Sequence, residues 1–182
     1  RSNEVANKIS MLCPCNDVKS PRIGGGALIG GVCEWPSAPN GVPLTLVMSL
    51  PTGFINNHIG SRLPEGKFVS VFSYYSKDDY FLDFICFHGS PEELELIESG
   101  YTKAFLHDGG AEVFSGYIVP QMLISTANSD EDLDAYQGSK IGGNAGLLQN
   151  EPLALDKFDF ALQLYGGDFP EPFRDIFFLS DA

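Results

Sequence analysis

Along much of the chain, apolar and polar residues alternate or fall in short apolar runs between turn residues, a pattern that predicts short strands. Leu44 to Leu50 reads as a buried strand, Lys67 to Tyr75 as an alternating one, and Asp79 to His88 as a third. Ala111 to Ser125 reads as strand broken near Pro120, and Phe158 to Tyr165 and Asp175 to Leu179 complete the set. Helical spacing is rarer. Val5, Ile9 and Leu12 recur at i, i+4 and i+7, so a short helix is expected to open the chain and to stop at Pro14. Ser90-Pro91-Glu92-Glu93 has Ser at an N-cap and Pro at the first helical position, which predicts a helix that Gly100 ends. A further helix is expected from Ser129, as cap, to Tyr136, with Gly138 past its end. Residues 19–43, rich in Gly and Pro, read as loop and turn. Many short strands and few short helices make the expected class α+β, with largely antiparallel sheets.

Three short blocks recur in one order. Arg22-Ile23-Gly24-Gly25 returns as Lys140-Ile141-Gly142-Gly143, offset by 118. The Leu44–Leu50 run has a counterpart in Phe158 to Leu164, offset by 114, and Lys67-Phe68-Val69 matches Asp175-Ile176-Phe177, offset by 108. Shrinking offsets imply shorter loops in a second copy. The expected organisation is one domain over 1–182, duplicated from a β-rich half, with halves at about 20–125 and 138–182.

These blocks resemble the bacterial YwqG-like family. The resemblance rests on a basic residue, an apolar residue and Gly-Gly, then Trp35-Pro36, then Pro43-Leu44 entering an apolar strand, then Leu63-Pro64-Glu65-Gly66 before another strand. Ser139-Lys140-Ile141-Gly142-Gly143 followed by the Phe158–Leu164 strand resembles the family's second block. The likeness covers roughly residues 20–75 and 138–180. After each Gly-Gly the chain departs from the family pattern, with Gly26-Ala27 and Asn144-Ala145 where a proline usually follows. The resemblance carries over no catalytic residue, and it implies the function of those members regarded as immunity proteins against secreted toxins.

Composition narrows the classes. With 182 residues, 43% of them hydrophobic, the chain can bury a core without disulfides or metal. No apolar run approaches the roughly 18 residues of a membrane span, and residues 1–12 lack a signal-peptide core. Cys13, Cys15, Cys33 and Cys86 are too few and too scattered for a disulfide scaffold, so a reducing, cytoplasmic setting is expected. The net charge of −13 lies wholly in one half: residues 1–91 hold seven acids and seven bases, residues 92–182 seventeen acids against four bases. Such a field repels nucleic acid and anionic membrane and attracts basic partners.

The reactive constellations fail on spacing. From Gly24 a dinucleotide fingerprint needs Gly where Ile29 stands, and a P-loop needs Lys where Gly31 stands. Asp130-Glu131-Asp132-Leu133-Asp134 alternates oxygen ligands as a calcium loop does, but Ala135 and Ile141 occupy the places of the required Gly and Glu. Cys13-Pro14-Cys15 lacks the second ligand pair of a zinc site. Cys86 and His88 share a face of the expected strand at about 6.5–7 Å, a packing distance. His58 and His107-Asp108 fall in expected loops, and no serine has a nucleophile-elbow context.

No cofactor and no metal are therefore expected, and the reading is a non-enzymatic binding protein: an immunity protein that inhibits a cognate toxin, such as a nuclease with a basic cleft. The expected partner surface is the acidic half, at Glu92, Glu93, Glu95, Asp130, Glu131, Asp132 and Asp134, with Tyr136 beside the densest run. The competing readings are an enzyme or small-ligand protein whose site is assembled from scattered residues, and an adaptor subunit.

Overall fold

The computed structural model describes residues 5–60, 62–86, 90–129, 138–146, 159–171 and 173. The first element is β1 (Asn7–Pro14), not a helix. Ile9 and Met11 are buried while the alternate residues Ser10 and Leu12 are exposed, so period two overrides the helical spacing of Val5, Ile9 and Leu12. Pairing with β8 (Met122–Asn128) decides it, Ile9 opposite Thr126 and Ser10 opposite Ser125. The Gly- and Pro-rich stretch read as loop contains β2 (Arg22–Ile23) and β3 (Ala27–Gly30). Then come β4 (Thr45–Pro51) and β5 (Lys67–Ser73), close to their expected places. Between them α1 (Thr52–Ile59) buries Thr52 and Ile55 and ends at Gly60.

The expected third strand, Asp79 to His88, is replaced over Phe81–Phe84 by a 3-10 turn, and 87–89 lie outside the described residues. Three-residue spacing turns both aromatics inward, Phe81 edge-on to Tyr75 and Phe84 edge-on to Tyr74. The helix α2 (Pro91–Leu96) starts where its cap residues place it and runs into an irregular turn, Ile97–Tyr101, where Gly100 takes φ 113° and breaks it. That turn feeds β6 (Thr102–Asp108), which takes in the expected His107-Asp108 loop and pairs with β5 over its whole length. The expected strand from Ala111 to Ser125 is split into β7 (Ala111–Val113) and β8. The last strands among the described residues are β9 (Lys140–Ile141) and β10 (Leu162–Gln163), the latter within the longer strand expected to Tyr165, while the expected strand from Asp175 to Leu179, and the expected helix beyond Ser129, lie outside the described residues.

Among the described residues these strands form a curled, antiparallel half-barrel of eight, in the order β10-β9-β1-β8-β2-β4-β5-β6, and β3 pairs separately with β7. Two pairings have the same register. Arg22 faces Ser49 and Ile23 faces Met48, while Lys140 faces Gln163 and Ile141 faces Leu162. The next backbone bond repeats too: Gly24 N–H donates to the Val47 carbonyl at 3.0 Å, and Gly142 N–H to the Ala161 carbonyl at 2.8 Å. Gly24, Gly25, Gly142 and Gly143 all take positive φ. At Gly24 a side chain would meet the Val119 carbonyl, which is why glycine stands there.

The core has two lobes. One gathers Leu44, Leu46, Phe72 and Tyr74, with Trp35 half-buried against it and edge-on to Phe72. The other gathers Ile9, Met11, Ile23, Leu50 and Ile141.

Candidate functional site

The acidic residues that the structure places best are those of α2. Ser90 Oγ accepts the Glu93 N–H at 3.2 Å, and Glu93 Oε2 accepts the Ser90 N–H at 3.2 Å, so the helix start is closed by a reciprocal capping box. Pro91 adds a preset φ at the first turn. None of the six residues of α2 is buried. Short helices ordinarily owe their stability to an apolar face packed on the core. Here Leu94 is 41% and Leu96 37% exposed, beside the exposed carboxylates of Glu92, Glu95 and Glu98.

The expected partner residues divide accordingly. Glu92 and Glu95, three apart, share one side of the helix. Glu93 is half-buried and occupied by the cap. Asp130, Glu131, Asp132, Asp134 and Tyr136 lie outside the described residues. The sequence reading missed two carboxylates, Glu98 in the turn after α2 and Asp83 in the 3-10 turn that contacts it. Burial pushes the Cys86 thiol up, and the charges of Asp83 and Glu93 push it the same way. The signal for Asp83 was the three-residue spacing of Phe81 and Phe84 about it.

The remaining polar constellations are structural. His107 Nε2 lies 2.8 Å from Ser70 Oγ, a pairing seen in hydrolases, but Ser70 is fully buried and His107 Nδ1 donates to the Asp108 backbone carbonyl at 2.8 Å instead of to a carboxylate. His58, at the end of α1 and not in a loop, is held by the Phe54 carbonyl and Thr126 Oγ1. Cys13 is exposed, and the Cys15 thiol donates to the Asp17 carbonyl. Among the described residues no group of three or more His, Cys, Asp and Glu is placed to hold a metal ion. Arg22, fully buried, donates to the carbonyls of Val18, Gly24 and Gly26 and thereby shapes the glycine turn.

No helix among the described residues is long and apolar enough to cross a membrane. No protein-family model and no curated protein matches the chain.

Proposed function

We propose that this protein is a YwqG-like immunity protein: a non-enzymatic, cytoplasmic binder that holds a cognate toxin domain of basic charge and blocks its active cleft. The observation that carries the reading is α2, a helix fixed by its own caps with none of its six residues buried, whose two leucines stay about two-fifths exposed among carboxylates. A basic partner surface with an apolar centre complements that composition: the leucines supply the dry contact and the carboxylates the attraction. The concentration of acid in residues 92–182 supports the same polarity over a wider surface. In this reading the run Asp130–Asp134 and Tyr136 extends the contact beyond α2.

The internal duplication belongs to the same proposal. The identical registers of Arg22–Ile23 on Ser49–Met48 and of Lys140–Ile141 on Gln163–Leu162 support two related halves.

The test is association kinetics with a basic toxin domain, chosen from the genes neighbouring this protein's own. In the triple variant Glu92→Gln, Glu95→Gln, Glu98→Gln, the association rate at low salt is expected to fall about three- to tenfold and its salt dependence to flatten, because exposed charges act mainly on encounter. Leu94→Ala with Leu96→Ala is expected to speed dissociation instead. Wild-type rates in both variants would dismiss α2 as the partner surface, and no binding by the wild type would dismiss the immunity reading.

A further inference from the structure

A cavity of about 390 Å³ lies between β4, β5 and β6 and the residues Leu162, Leu164, Phe169 and Phe173. This lies within the range of about 300–1,000 Å³ typical of small-molecule sites. Its body is aliphatic and aromatic: Val47 and Val71 from the sheet, Leu162, Leu164 and Phe169 from the covering segment, Phe81 at the 3-10 turn. Among the described residues none of the side chains that line it is charged.

One wall is different. Thr45 faces Ser73 across β4 and β5, and Ser73 faces Thr102 across β5 and β6, so three hydroxyl side chains stand in one row across three strands. All three line the cavity. Ser73 Oγ and Thr102 Oγ1 are 3.4 Å apart and can satisfy one another. Thr45 is 3% exposed, and among the described residues its Oγ1 is the one buried side-chain oxygen or nitrogen with no hydrogen-bond partner. An unpaired buried hydroxyl costs its full desolvation, whereas valine would fill the same space without that cost. Oγ1 itself is covered, but Thr45 lines the cavity, so a turn of its side chain toward the bound molecule would complete the orphan.

We propose that this cavity binds a neutral, largely apolar small molecule bearing one carbonyl or hydroxyl oxygen, with that oxygen bonded to Thr45 Oγ1 and the apolar body against Val71, Leu162 and Leu164. The described lining, apolar and without a charged side chain, favours a neutral ligand over a carboxylate or phosphate. The single unpaired hydroxyl favours one polar group over several. The proposal is independent of toxin binding at α2.

The probes are 4-phenyl-2-butanone and its hydrocarbon counterpart n-butylbenzene, titrated into the protein with methyl groups observed by NMR. Saturable shifts are expected at Val71, Leu162 and Leu164 with both. Thr45→Val is expected to weaken the ketone about five- to tenfold, the worth of one neutral hydrogen bond, and to leave the hydrocarbon within about twofold. Thr45→Ser, which keeps the hydroxyl, is expected to retain the preference for the ketone. Thr45→Val should also raise the melting temperature of the unliganded protein, which verifies that it folds. No saturable shift in the wild type overturns the site, and an unchanged ketone affinity in Thr45→Val overturns the role of Thr45.

Discussion

The Ser70 hydroxyl lies 2.8 Å from Nε2 of His107, one diagonal step along the β5–β6 ladder, where Ser70 faces Phe105 and His107 faces Phe68. Nδ1 carries a proton, because its partner is the Asp108 carbonyl, and the partner of Nε2 is Ser70 Oγ, which also lies 3.4 Å from Ser49 Oγ. Ser70→Ala removes that partner and leaves a buried ring nitrogen unpaired. The expected cost is about 1–3 kcal/mol, read as a lower urea midpoint with an unchanged slope. A midpoint equal to the wild type would show that this pair adds nothing to the fold.

Arg22 makes a heavier demand. Burial weighs against its charge, and the Glu112 carboxylate is the largest opposing influence. Its guanidinium satisfies three backbone carbonyls in a stretch where Gly24 and Gly25 leave the helical and strand regions. Arg22→Met keeps the side-chain volume and orphans those carbonyls. It is expected to destabilise by about 3–5 kcal/mol, since each buried carbonyl left without a donor costs about 1–3 kcal/mol. Glu112→Gln keeps an acceptor for the Gly26 N–H, which now donates to Glu112 Oε1 at 3.2 Å, and is expected to cost less. Thermal unfolding of the two variants orders them, and the reverse order would refute this account.

The thiols should differ in reactivity. Cys13 and Cys33 are exposed, whereas Cys86 is half-buried and held above the ordinary cysteine value, first by burial and then by Asp83 and Glu93. Alkylation requires the thiolate. With iodoacetamide at about pH 8, Cys86 is expected to react on the order of tenfold more slowly than Cys13 or Cys33, as followed by peptide mass spectrometry. Equal rates would place Cys86 in an open, neutral setting.

Local signals and long-range geometry differed in how well the sequence carried them. The Ser90-Pro91-x-Glu93 start was legible because a capping box is complete within four residues. The strands β4 and β5 were legible because their apolar runs exceed what a loop can hide. The β1 segment was misread because Val5, Ile9 and Leu12 fit a helix as well as Ile9 and Met11 fit a strand, and only its neighbours β8 and β9, more than a hundred residues on, arbitrate. The α1 helix was missed because Pro51-Thr52-Gly53 resembles a turn and offers no capping side chain. As an edge strand β6 leaves Leu106 48% exposed, so its alternation is weak. The hydroxyl row Thr45, Ser73 and Thr102 could not be read at all, since it exists only once three strands fix their register.

The last prediction concerns alkaline pH. Tyr75 is 8% exposed, packed edge-on to Phe81 and Tyr117, and lines the cavity. Burial, and secondarily Tyr117, raises its phenol above the ordinary tyrosine value. The native protein therefore holds this proton more tightly than the unfolded chain does. Below the unfolded value of about 10 both states are protonated and the stabilisation is complete. As pH rises past that value the unfolded chain releases its proton first, and stability falls until the native phenol also ionises. Tyr75→Phe has no proton to lose there. Its denaturant midpoint is expected to decline less than the wild type's between about pH 9.5 and 11, while near neutrality the two should lie within about 1.5 kcal/mol, since the aromatic contacts remain. Parallel declines across that range would show that Tyr75 titrates alike in both states, and that its ring is wetter than its packing against Phe81 and Tyr117 implies.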